Sequence, residues 1–138
     1  MKKLHAAWHR TAVLLVVLAS PWPAALAATP AELLAGYTAQ AGSPPSAERG
    51  KKLFTTNFGK ELGLACSSCH TANPVKPGKD EVTEKPIAPL APAANASRFT
   101  DKAKVELKFK MNCRDVVGRD CTAAEKADVM SWLLSLKP

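Results

Sequence analysis

The stretch Cys66-Ser67-Ser68-Cys69-His70 decides how the chain is read. Two thiols separated by two residues stand about one helical turn apart. That matches the spacing of the two vinyl groups on a haem, which thiols attack to form thioethers. The residue directly after the second thiol is then held beneath the iron, so His70 is the expected proximal axial ligand. A CxxCH run in an exported chain points to c-type haem attachment. Two other uses of the cysteines are weaker. A thioredoxin-like redox pair lacks the βαβ setting that motif needs. A zinc site on Cys66, Cys69, Cys113 and Cys121 leaves His70 without a role.

The chain start supports export. Lys2, Lys3 and Arg10 precede the short apolar run from Ala12 to Ala19, and Ala25-Leu26-Ala27 has the small residues of a cleavage site. Residues 1–27 therefore read as a secretory signal peptide, with periplasmic localisation and no stable membrane anchor. The apolar run is too short to span a bilayer, and Pro21 and Pro23 interrupt the residues beyond it. Residues 28–138 are expected to form a single domain with one modest core, which a covalent haem would enlarge. Sixteen basic and twelve acidic residues remain there, a net charge of +4. The charges are dispersed and mixed. They read as a solvated surface before they read as a basic face for an acidic redox partner, and no nucleic-acid patch stands out.

Counting sharpens the haem reading. His5 and His9 lie in the signal peptide, which leaves His70 as the sole histidine of the mature chain. Bis-histidine ligation within the chain is thereby excluded, and a single CxxCH means a single haem. The distal position falls to Met111, Met130, Asn112, a lysine, the amino terminus or nothing.

The remaining sequence is helical in pattern. Thr29 and Glu32 form a capping box around Pro30, for a helix ending at Gly42. Ser46 caps a second helix, from Ala47 to about Thr55, that presents Gly50, Leu53 and Phe54. From Thr71 to Ser97 five prolines (Pro74, Pro77, Pro86, Pro89 and Pro92) leave no amphipathic period. This is expected to be a long loop packed around the haem edge, with a backbone carbonyl, at Pro86 or Pro89, accepting from the His70 ring, and with Arg98 near a propionate. A third helix is expected from Asp101 to about Met111, capped by Thr100, with Val105 and Phe109 on one face and Leu107 and Met111 on another. Thr122 and Glu125 box the last helix, which runs to about Leu136. It is apolar except for a polar stripe of Asp128, Ser131 and Ser135.

Cys113 and Cys121 have only each other once Cys66 and Cys69 hold haem, and export favours a disulfide between them. Chain-entropy arguments credit a loop of that size with roughly 2.5 kcal/mol. A structural staple is the simpler reading, and a redox switch beside the haem the alternative.

The layout of Gly50 and Phe54, CxxCH, a proline-rich loop and a final helix ending WLLSL resembles a class I cytochrome c. That implies an all-α fold, a small helical domain wrapped around one covalently bound haem c. Gly50 and Trp132 would lie where the first and last helices of that fold cross. More narrowly, TPAELLAGY, ERGKKLF, CSSCHT, KPIAPLAP, RFTD and MNCRDVVGRDCT resemble the high-spin, asparagine-ligated sphaeroides haem protein type. From the residues alone Met111 is the favoured distal ligand, because a thioether suits haem electron transfer and an Asn there reads as a helix cap. The resemblance reverses this order. It implies Asn112 as a weak, displaceable distal ligand and Cys113–Cys121 as a disulfide.

The resemblance further implies oxygen or nitric oxide binding at the haem, and electron exchange with a dihaem cytochrome c or a membrane b-type cytochrome. The alternative is an ordinary low-spin His/Met electron carrier using Met111. An enzyme that reduces or oxidises a small substrate at an open iron, as a reductase or oxygenase, would draw on Arg114, Asp115 and Arg119. Those three also fit exposed turn residues.

Overall fold

The computed structural model describes residues 28–60 and 63–138; the signal-peptide reading of 1–27 lies outside them. Among the described residues five helices follow in order: α1 Pro30–Ala41, α2 Ala47–Thr55, α3 Cys66–His70, α4 Lys102–Val117 and α5 Ala123–Ser135. The all-α expectation holds. One correction concerns the proline-rich segment, which carries a two-residue antiparallel ladder. Its strands β1 (Gly78–Lys79) and β2 (Pro86–Ile87) pair Gly78 with Ile87 and Lys79 with Pro86. A ladder this short has no alternation for a sequence to display. The segment is anchored at two buried points: Ala91 is fully buried, and so is Pro74, whose carbonyl accepts from the backbone N–H of both Leu90 and Ala91.

Side-chain caps set most helix starts. The Thr29 and Thr122 hydroxyls accept from the N–H groups of Glu32 and Glu125, whose carboxylates accept in return from the N–H groups of Thr29 and Thr122. The Ser46 hydroxyl accepts from Arg49 N–H. Two expectations for α4 need correcting. Asp101 caps it by accepting from Lys104 N–H, while the Thr100 hydroxyl donates backward to the Ser97 carbonyl. The helix also continues past Met111 to Val117. It stops where Gly118, at φ 79°, donates to the Arg114 and Cys113 carbonyls, a left-handed cap that glycine adopts without strain.

The core forms where α5 crosses α1 and α2. One cluster joins Leu33, Tyr37, Val105, Ala127 and Met130; the other joins Phe54, Val129, Trp132 and Leu133. At the α2–α5 crossing a Cβ on Gly50 would overlap the Asp128 carbonyl oxygen, so only glycine lets the helices approach this closely. The Phe54 and Trp132 rings pack beside it, 4.9 Å between centroids. Asp128, read from the sequence as part of a polar stripe, is buried against α2. It is 5% exposed, and its carboxylate accepts from Ser46 N–H at 2.6 Å and from Arg49 Nε and Nη2 at 2.7 and 2.8 Å. This one side chain of α5 thereby ties down the start of α2.

Candidate haem site

Cys66 and Cys69 lie three positions apart on the short helix α3, half-buried, with His70 at its end. Burial holds the Cys66 thiol up at about 11, so it is not a freely reactive thiolate. Burial first, then the positive charges of Arg98 and Lys108, hold the His70 imidazole below its ordinary value. It is thus neutral near pH 7, the form that ligates a metal. The following residue, Thr71, adopts the left-handed φ of 61°, and a Cβ at Gly78 would overlap the Cys69 carbonyl oxygen. The ladder at Gly78 therefore presses directly on the back of the CxxCH turn.

The hydrogen bond expected from the proline-rich segment to the His70 ring is not made. His70 Nδ1 is buried without a partner. The Pro89 carbonyl is taken by Arg98 Nε at 2.9 Å, with Asn95 Nδ2 at 3.3 Å, and Pro86 lies in β2. Arg98 Nη2 also donates to the Ala88 carbonyl, at 2.6 Å, which fixes the guanidinium against the loop.

Beside α3 opens a cavity of about 360 Å³. Leu53, Phe54, Leu90, Val105, Phe109, Val117, Val129 and Leu133 give it a mainly apolar wall. Its other contributors include Cys66, Asn112, Cys113, Cys121 and the cations Arg98, Lys104 and Lys108. As the side chains stand, the wall takes in Cys66 but not Cys69 or His70. Phe99 also lines it, at the left-handed φ of 61°, and packs against both core clusters. Backbone held in that region by surrounding structure is common at functional sites.

The distal candidates separate clearly. Asn112 lines the cavity from the middle of α4, so it is not the helix cap. Met111, its neighbour, is 46% exposed and does not line the cavity, while Met130 is fully buried in the cluster around Tyr37. Cys113 and Cys121 form a disulfide with Cα atoms 5.7 Å apart, and no group of side chains among the described residues is arranged to hold a zinc ion. Arg114 pairs with Asp120 and Arg119 with Glu125, both at 2.7 Å, and Asp115 is exposed. None of Arg114, Asp115 and Arg119 lines the cavity. Lys104 and Lys108 were not singled out by the sequence. Their positions one and two turns before Asn112 on the same helical face are the signal that finds them.

These features suit a haem. The mainly apolar cavity, the adjoining thiol pair, a neutral imidazole with a buried, unpaired nitrogen, and a fixed guanidinium in the wall match a macrocycle with two vinyl groups, an iron and carboxylate side chains.

The geometry defines a c-type cytochrome, and relatives place it more narrowly. A family profile described as "Domain of unknown function (DUF1924)" matches residues 40–133. The cytochrome c-type protein SHP of Cereibacter sphaeroides is 49% identical over 128 residues, covering 90% of this chain and 96% of that one. The structure of oxidised SHP, an oxygen-binding cytochrome c, superposes with a TM-score of 0.74 at 48% identity, covering 78% of this chain and 97% of that one. Cytochrome c'' of Methylophilus methylotrophus is 44% identical over 95 residues, 66% of this chain and 65% of that one. Its solution structure, which gave insights into haem-ligand detachment, superposes with a TM-score of 0.70 at 41% identity, covering 79% of this chain and 94% of that one. The chain belongs to the sphaeroides haem protein family of c-type cytochromes, and its cofactor is one covalent haem c.

Proposed function

We propose that this is an exported, periplasmic monohaem cytochrome that binds oxygen or nitric oxide and exchanges electrons with a partner cytochrome, with Asn112 as its displaceable distal ligand. The haem supplies a one-electron redox centre and an axial position open to a small diatomic molecule. Cys66 and Cys69 would anchor the group through thioethers, and His70 would ligate its iron. Asn112, on the cavity wall, would supply the second ligand. An amide is a weak donor, so a diatomic gas can displace it where it could not easily displace a thioether. The cavity's apolar wall favours a neutral diatomic over a charged solute. The described oxygen binding of SHP and the ligand detachment associated with cytochrome c'' support the same reading. Electron partners by family resemblance are a dihaem cytochrome c or a membrane b-type cytochrome; no helix among the described residues is long and apolar enough to cross a membrane.

The observation that carries the proposal is that Asn112 lines the cavity and Met111 does not. Absorption spectra of the wild type, Met111→Leu and Asn112→Leu, each with and without nitric oxide, test it. Met111→Leu should leave the ferric spectrum unchanged. Asn112→Leu should alter that spectrum and speed nitric oxide association. A sulfur-to-iron band that disappears in Met111→Leu would overturn the proposal in favour of a low-spin His/Met electron carrier.

A further inference from the structure

Removing Met111 from the cavity leaves it without an evident task. It is one of few large apolar side chains that stand exposed among the described residues; Leu107, 55% exposed, lies one turn earlier on the same outward stripe. Single exposed apolar residues are ordinary. Here, however, the two alternate with cations: Lys104, Leu107, Lys108 and Met111 follow at spacings of three, one and three, which puts all four on one side of the helix. The stripe borders the distal cavity, because Lys104 and Lys108 also contribute to its wall. The whole of α4 carries Lys102, Lys104, Lys108, Lys110 and Arg114 against Glu106 and Asp115, a net charge of +3. It thus holds most of the +4 of residues 28–138.

We propose that this stripe of α4 is the docking surface for an acidic electron-carrying protein, with Leu107 and Met111 as the apolar centre and the lysines as the charged surround. This rests on the proposed electron exchange and names its surface. Short-lived electron-transfer complexes use small interfaces, and an apolar patch with complementary charge around it fits that size class. The positive face steers an acidic partner toward the haem side of the molecule and disfavours a second copy, which would present the same charge.

Reduced flavodoxin, a strongly acidic one-electron carrier, serves as the probe. Its flavin hydroquinone gives one electron and becomes the semiquinone; the ferric haem accepts that electron and becomes ferrous. Reduction of the holoprotein is followed by stopped flow at several salt concentrations. The complex is also cross-linked with a water-soluble carbodiimide, which joins a lysine amine to a partner carboxylate as an amide and takes up the released water as a urea. Cross-links should map to Lys104 and Lys108, and the rate should fall as salt rises. A Leu107→Ser/Met111→Ser variant should be reduced about fivefold more slowly by flavodoxin, while its reduction by dithionite should match the wild type. Cross-links confined to other lysines, such as Lys51, Lys52, Lys76 or Lys79, or an unchanged flavodoxin rate in the variant, would overturn this surface and leave the electron-exchange reading standing. Failure of flavodoxin to reduce the haem at all would overturn both. Self-association, or binding to anionic phosphatidylserine vesicles, that is lost in the variant would instead assign the stripe to a second copy or to a lipid surface.

Discussion

At the residue scale two side chains carry more than their positions suggest. Gly50 permits the close contact between α2 and α5, and its replacement by Ala forces the two helices apart because the obstacle is backbone. Gly50→Ala should cost about 3 kcal/mol, by analogy with overpacked cores, and lower the urea midpoint of the holoprotein correspondingly. Asp128 was legible as a charge but not as a buried one, since its partners Ser46 and Arg49 lie about 80 positions earlier and no local pattern announces them. Asp128→Ala leaves Ser46 N–H without its acceptor and frees Arg49, whose guanidinium is still 59% exposed. A loss of about 2 kcal/mol is expected, less than for a fully buried pair because solvent already screens the arginine. Urea unfolding of Asp128→Ala beside Arg49→Ala measures it.

At the element scale the sequence was most readable where caps are local. Thr29 with Glu32, Ser46, and Thr122 with Glu125 mark three helix starts correctly, because capping depends on residues three apart. The end of α4 was less readable. Asn112 read as a cap on a helix ending near Met111, whereas Val105, Phe109, Asn112, Cys113, Val116 and Val117 share one face and extend the helix to Gly118. That same periodicity puts Asn112 on the cavity wall and leaves Met111 off it, which no count of candidate ligands could do.

Two predictions belong to these elements. Hydrogen bonds from Thr122 N–H and Arg119 hold the Glu125 carboxyl below its ordinary 4.5 in the folded chain, with Arg119 the larger cause. Its contribution is complete above that value and is lost as pH falls through the lower folded value. The melting temperature should therefore drop less between pH 5 and pH 3 in Glu125→Gln than in the wild type. Opening the Cys113–Cys121 loop in the paired Cys113→Ser/Cys121→Ser variant should cost roughly 2.5 kcal/mol in urea unfolding, if the bond acts mainly on the unfolded chain.

At the scale of the whole molecule the core is arranged around space for the cofactor. Phe54, Val105, Val129 and Leu133 belong both to core clusters and to the cavity wall. Without the haem, a cavity of about 360 Å³ would lie against the main helix crossings. A Cys66→Ala/Cys69→Ala variant should keep helical far-ultraviolet dichroism but lose near-ultraviolet signal and cooperative melting. The disulfide adds a mechanical consequence. It fastens α4 to the approach of α5 at Cys113, one residue beyond Asn112 and eleven beyond Lys102. For rocking of the helix, Cys113 is the fulcrum, and Asn112 rides almost upon it. Swinging the Lys102 end then barely displaces the Asn112 amide, and with Asn112 as the proposed ligand, exchange at the iron would be left to torsion about its side-chain bonds. The rate of ligand exchange should accordingly be insensitive to solvent viscosity, as befits a valve whose moving part is a few atoms.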